Sequence, residues 1–252
     1  MNKLCLLFAA TAILSSSACD AKKGQSAAVA PRGPVASVMA PNGDWSQVTT
    51  ATPSGGFLMG NPKAKTKLVE YGSMTCPHCG HFDRVGGRPL IDQYVKSGRV
   101  SWEFRNFVRD PYDIAASLVA RCNGPRSFFG LTSALYAAQR DWVGKLQAAP
   151  EQLQALQNMP PEQQFPVVAR LAGFPQFAAL RGVPLAKTNA CLANQGEVTK
   201  LVQMNSDAVA QYNIPYTPAF LINGTLVDLG NITEDQVWPA LESKLKAAIN
   251  GR

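Results

Sequence analysis

The segment Cys76-Pro77-His78-Cys79 carries the residue types best suited to chemistry. Two thiols separated by two residues can close a disulfide and reopen it by exchange with another dithiol. The context strengthens the reading, because the segment follows an apolar run, Lys67 to Tyr71, and opens a predicted helix. Pro77 suits the first helical turn, where its missing N–H costs nothing, and it presents Cys76 at the helix N-terminus. Unpaired N–H groups and the helix dipole there favour a thiolate, and a protonated or hydrogen-bonding His78 favours it further. A stabilised thiolate makes the disulfide more oxidising, by ~1.4 kcal/mol per pKa unit. Cys76 is therefore expected to attack and leave, and Cys79, deeper in the helix, to resolve.

Spacing weighs the alternatives. Covalent haem attachment needs His directly after the second Cys, whereas here Gly80 intervenes and His81 comes one position late. A zinc site could use Cys76, Cys79 and one histidine, but no second Cys pair or His pair supplies further ligands. An inert structural disulfide is disfavoured, since so short a loop contributes little chain entropy. The reading therefore assigns no metal and no cofactor.

The elements that must position these thiols follow a mixed pattern. Gly55 to Pro62 reads as a short edge strand closed by a turn, and Lys67 to Tyr71 as a buried strand. Val100, Trp102 and Phe104 alternate with Ser101, Glu103 and Arg105 at the spacing of a half-buried strand. A helix over Pro89–Ser97 would return the chain for parallel pairing. From Asp110 to about Tyr212, Ala, Leu and Gln dominate, and Pro or Gly recurs every ten to twenty residues, which reads as a helical block. Its last helix places Val198, Leu201, Val202, Ala208 and Val209 on one face with Asn205. Asn223-Gly224 between two apolar runs signals a hairpin. Thr233 with Gln236 is a capping box opening a last helix, whose start Pro239 should delay or kink.

Composition bounds the class. With 46% hydrophobic and 16% charged residues the chain is neither disordered nor, lacking any apolar run of ~20 residues, membrane-spanning. The net charge of +7 comes from scattered Lys and Arg, so nucleic acid is not an expected partner. The start, Met1-Asn2-Lys3 with uncharged Leu4 to Leu14 and a Ser/Ala exit, has the form of an export signal. Cys19 stands at its end and fits two readings: a lipidation site, or a free thiol on the tail left by ordinary cleavage. A tether reaches about Pro41. Export would place the remaining thiols in an oxidising compartment.

The run Lys67-Leu68-Val69-Glu70-Tyr71-Gly72-Ser73-Met74-Thr75-Cys76-Pro77-His78-Cys79 resembles the active-site segment of DsbA-like thiol-disulfide oxidoreductases of the thioredoxin superfamily. The resemblance implies an α/β thioredoxin fold with an inserted α-helical domain: leader 1–18, tether 19–44, first part of the fold 45–109, insertion 110–212, second part 213–252. It implies Cys76 as nucleophile, Cys79 as resolving cysteine, His78 as thiolate stabiliser and Glu70 as the acid beneath the site that assists proton transfer at Cys79. Thr217-Pro218 matches the family's substrate-pairing cis-proline loop. Thr217 departs from the Val of the best-known oxidases and is more usual in disulfide isomerases. His81 matches no family role and is expected to face solvent.

Cys122 and Cys191 both fall in the helical block. In an oxidising compartment they read as a structural disulfide clamping the insertion, worth ~4 kcal/mol by loop entropy, against two free buried thiols. The function expected is that of a monomeric periplasmic oxidase of exported proteins with free thiols, with an apolar groove near Thr217-Pro218. The resemblance implies a quinone-linked membrane reoxidase of the DsbB type. A reductase or isomerase of the same fold is the neighbouring alternative. A soft-metal-binding protein using the same thiols and His78 is the alternative of another class.

Overall fold

The structure is a computed structural model and describes residues 40–251. The leader, Cys19 and nearly all of the tether lie outside the described residues.

A six-stranded sheet has the order β1-β2-β4-β3-β5-β6. At its centre β3 (Thr66–Gly72) and β4 (Val100–Asn106) run parallel, with Leu68 opposite Trp102 and Glu70 opposite Phe104. On one side β2 (Phe57–Gly60) pairs antiparallel with β4, and β1 (Thr49–Ala51) continues outward. The expected edge strand is thus an inner one, with β1 outside it. On the other side β5 (Ala219–Ile222) pairs with β3 and turns into β6 (Thr225–Leu226). Asn223 and Gly224 take φ of 51° and 85°, the left-handed pair that a two-residue hairpin requires.

β4 is not half-buried, because helices cover both sheet faces and Ser101 and Glu103 are buried along with Val100, Trp102 and Phe104. Glu103 tolerates this position by pairing with Arg105 Nε at 2.9 Å.

From β3 the chain enters α1 (Pro77–Phe82) and stays helical to Val95 through a π-segment (Asp83–Gly87), α2 (Arg88–Leu90) and a second π-segment (Ile91–Val95). The separate helix expected over Pro89–Ser97 is therefore the end of one longer helical path. Pro89 has no N–H for the carbonyl four residues earlier, and the widened turns around it absorb the missing bond.

Seven helices follow β4: α3 (Pro111–Arg121), α4 (Pro125–Ala137), α5 (Gln139–Gln147), α6 (Pro150–Leu156), α7 (Pro161–Ala172), α8 (Phe174–Ala179) and α9 (Leu185–Leu192). Pro opens α3, α4, α6 and α7, so the recurrent prolines of this block mark helix starts. Phe128 and Phe129 of α4 pack on Phe57, Phe104 and Trp102 of the sheet, with ring centroids 4.4 to 5.5 Å apart. Cys122 and Cys191 are bonded, S–S 2.04 Å, tying the end of α3 to α9.

α10 (Gln195–Tyr212) packs both on the sheet, where Ala208 meets Val69, Tyr71, Ala219 and Leu221 on the face opposite α1, and on α3, where its Glu197 pairs with Arg121 at 3.0 Å. Its inner face is Leu201, Met204 and Ala208, while Val202 and Val209 are each 48% exposed, against the face read from the pattern. The last helix, α11 (Val237–Ile249), follows a 3-10 turn (Glu234–Gln236) capped by Thr233 N–H on Gln236 Oε1 at 3.0 Å. Pro239 thus falls in the first turn of α11, where it costs no hydrogen bond.

Candidate functional site

Cys76 is the N-cap of α1, in extended conformation, with Pro77 as the first helical residue. Its own side chain caps nothing, so the sulfur stays near the free N–H groups of the first turn. Both active-site thiols are free and buried, Cys76 at 3% exposure and Cys79 at 0%. Their titrations are driven apart. The thiol of Cys79 donating to the Cys76 sulfur, joined by the Thr217 hydroxyl and the Cys79 and His78 backbone amides, outweighs desolvation and brings Cys76 down to about 5. Burial, reinforced by the same contact with Cys76, pushes Cys79 well above the ordinary thiol range. Ser73 N–H faces the Cys79 sulfur at 3.5 Å.

Thr217-Pro218 is cis and reaches the site from the loop before β5. In the thiol form Cys76 donates to the Thr217 carbonyl at 3.2 Å. Tyr216, next to it, is 53% exposed.

Glu70 does not face solvent. It is 1% exposed, on the sheet face beneath α1, and its Oε2 accepts from Trp102 Nε1 at 3.1 Å. Burial, and after it the nearby Asp83 carboxylate, raise its pKa well above the carboxylate range, and its charge is coupled to Cys79.

The side chain of His78 is turned to a carboxylate. Its imidazole is 63% exposed and turns to Glu234, Nδ1 to Oε2 3.1 Å, while its backbone N–H is the part that lowers Cys76. His81 is not solvent-facing: its side chain is 14% exposed, with Nε2 2.9 Å from Asp235 and Nδ1 3.6 Å from Glu234. The turn before α11 thus sets two carboxylates against the two histidines of α1. Glu234→Gln removes a carboxylate that sits beside His78, two residues from Cys76, and with it a negative charge that disfavours a nearby thiolate. We expect the Cys76 alkylation midpoint to fall by roughly 0.3 pH unit, the scale of an exposed ion pair. A midpoint that rises instead would mean that Glu234 holds His78 in a thiolate-stabilising orientation.

The helical insertion supports the site from behind. Gln139 Nε2, at the start of α5, donates to the carbonyls of Met74 (2.8 Å) and Cys76 (2.9 Å), and the Tyr136 hydroxyl donates to Ser73 O at 3.2 Å. Gly80 allows this approach, since a Cβ there would sit 3.0 Å from Gln139 Oε1. Gln139, Tyr136 and Glu234 carried no local sequence signal. A cleft of about 590 Å³ lies against the Cys122–Cys191 bond, lined among others by Gly55, Leu118, Glu197 and Met204. It is not the groove expected at Thr217-Pro218, and no residue of the Cys76 site lines it. Among the described residues, no group of three or more His, Cys, Asp or Glu is arranged to hold a metal ion.

A low-pKa cysteine at a helix N-terminus, a buried partner thiol, a cis-proline loop and a helical insertion on a mixed sheet define a DsbA-like thioredoxin-fold protein. The chain belongs to the thioredoxin family, whose model matches residues 52–243. A Rickettsia felis relative that carries a protein-disulfide oxidoreductase name is 27% identical over 204 residues, 79% of this chain and 64% of its own length. The chain thus spans a little under two thirds of that relative. The crystal structure of a protein-disulfide isomerase from Novosphingobium aromaticivorans is similar with TM-score 0.70 and 35% identity, covering 77% of this chain and 96% of that one. Wolbachia pipientis alpha-DsbA1 shares the fold, with TM-score 0.60 and 21% identity over 80% of this chain and 94% of that one.

Proposed function

We propose that this chain is a thiol-disulfide oxidoreductase that oxidises protein dithiols through Cys76 and Cys79 in the periplasm. The opposite titrations of the two thiols carry the proposal. A substrate thiolate attacks Cys76 of the closed disulfide, forming a mixed disulfide and releasing Cys79 as a thiolate, which is then protonated with Glu70 assisting the transfer. The second substrate thiolate attacks the substrate's own sulfur in the mixed disulfide, closing the substrate disulfide and expelling the Cys76 thiolate. Two electrons pass from substrate to protein, and each leaving sulfur departs in the state its surroundings allow. Tyr216, exposed beside Thr217, supplies an apolar contact for an unfolded chain.

The structural Cys122–Cys191 bond supports an oxidising compartment and, with the leader, export; lipidation at Cys19 would add a membrane tether. A quinone-linked membrane reoxidase of the DsbB type is the reoxidant proposed, and a monomer the working form. Disulfide isomerisation is the second reading, favoured by Thr217 before the cis-proline and by the name of the Novosphingobium aromaticivorans protein.

The reduction potential of the Cys76–Cys79 couple tests the proposal. We expect a value between those of protein disulfide isomerase and DsbA, roughly −180 to −120 mV. A value at or below thioredoxin's, about −270 mV, would overturn oxidation in favour of reduction. Faster rescue of scrambled than of reduced ribonuclease would select isomerisation.

A further inference from the structure

Asp113, near the start of α3, is fully buried beneath the active-site segment. Its Oδ1 accepts Met74 N–H at 2.8 Å and its Oδ2 accepts the Ser73 hydroxyl at 2.5 Å. Arg109 N–H reaches Oδ2 at 3.3 Å, while Arg109 Nε donates to Ser73 Oγ at 2.9 Å. A carboxyl so enclosed is costly: burial outweighs the Ser73 and Met74 hydrogen bonds and raises it to about 7. Met74 leads through Thr75 to Cys76, and Ser73 presents its own N–H to the Cys79 sulfur.

We propose that Asp113 is a positioning residue for disulfide opening: it grips Ser73 and Met74 from below and so aims the Ser73 N–H at Cys79. The inference deepens the oxidoreductase reading and rests on it. When a thiolate attacks Cys76, the sulfur–sulfur bond breaks and its electron pair moves onto Cys79. The desolvated Cys79 needs a donor at that moment, because its thiolate is disfavoured by burial. Ser73 N–H is within reach, and two acceptor atoms of one carboxyl hold its direction. Asp113 touches neither sulfur and acts through this backbone. Its grip differs from that of Gln139 and Tyr136, which hold the segment by its carbonyls.

The test uses the full chain and measures reduction of the Cys76–Cys79 bond by dithiothreitol, a step observable whichever way the protein runs in the cell. Asp113→Ala should slow reduction about tenfold, the scale of one lost hydrogen bond to a charged group. Asp113→Asn keeps an acceptor for Met74 N–H and a partner for Ser73 and should restore the rate to within about threefold of wild type. The Cys76 alkylation midpoint should stay within roughly 0.3 pH unit in both, since the donors to Cys76 are untouched. A merely structural role would move both thiols together. Should Asp113→Ala fail to fold, Ser73→Ala, which removes the hydroxyl links to Asp113 and Arg109 but keeps the Met74 N–H link, is expected to slow reduction about threefold. Unchanged reduction in the folded variant, an Asn variant as slow as Ala, or a parallel shift at Cys76 would each overturn the positioning role. If the wild-type protein instead failed to oxidise dithiols at all, the proposed function would fall while the comparison of variants still stood.

Discussion

Alkylation of reduced wild-type protein at Cys76 should follow a midpoint near pH 5, and Cys76→Ser should reduce dithiol oxidation to the uncatalysed level. The expectation rests on the thiol lowered to about 5 by Cys79, Thr217 and the first-turn amides. An ordinary thiol of pKa ~8.5 is about 3% thiolate at pH 7, whereas Cys76 would be about 99% ionised there. A weaker base is also a weaker nucleophile: with a Brønsted slope of 0.4–0.5, a shift of ~3.5 units loses roughly 1.6 logarithmic units of intrinsic reactivity. The two effects nearly cancel at pH 7. At pH 5 the gain in ionisation is about 3.2 logarithmic units, so a net advantage of roughly 40-fold remains over a free cysteine. The signature to look for is therefore acid-side reactivity in iodoacetamide kinetics. Cys79→Ser removes the thiol that contributes most to the lowering and should raise the midpoint, and the mixed disulfide formed when the Cys76 thiolate attacks a disulfide-bonded protein should accumulate because no resolving thiol releases it. A wild-type midpoint above pH 8 would remove the basis of the proposed function.

The same shift links the redox state to stability. The folded-state pKa of Cys76 is depressed, so its contribution to the reduced form is fully present above the unfolded value and is lost as pH falls through about 5. Cys79, raised by burial, acts in the opposite sense, but only above the ordinary thiol range. The melting temperature of the reduced protein should accordingly gain on that of the oxidised protein from about pH 5 to about pH 8, the window between the lowered and the ordinary thiol values.

Replacing Cys122 and Cys191 together by alanine should destabilise the protein by ~4 kcal/mol while leaving the Cys76 alkylation profile in place. The bond closes a loop with a sequence separation of 69, and the loss of chain entropy in the unfolded state sets the figure. The bond joins α3 to α9 inside the insertion, and α3 in turn carries Asp113. Equilibrium urea unfolding of the oxidised protein, with and without the pair, measures the difference. A loss under ~1 kcal/mol would mean that the aromatic packing of α4 on the sheet holds the insertion without the clamp.

The sequence by itself determined the reactive pair, its helix N-terminus, the preceding strand, the Asn223-Gly224 hairpin and the helical character of the block after β4. Each depends on neighbours a few residues apart: a proline that suits a first turn, an alternation that suits a strand, a pair that tolerates positive φ. Patterns of this kind also misled where the outcome depended on covering partners. Val100 to Arg105 reads as half-buried, but Ser101 and Glu103 are buried as well, Glu103 against Thr52 and Arg105. Pro89 reads as a helix start, but the path from Pro77 continues through it because packing on both sides outweighs one missing hydrogen bond. Only the tertiary structure decided what acts on the two sulfurs. Asp113 and Gln139 come from helices far along the chain, and Glu234 from beyond the hairpin. The physical reason is range. A helix terminus acts on a thiol from the adjoining residues, whereas desolvation of Cys79 and Glu70, and the hydrogen bonds that hold Ser73 and Met74, exist only after distant segments have excluded water from the same space.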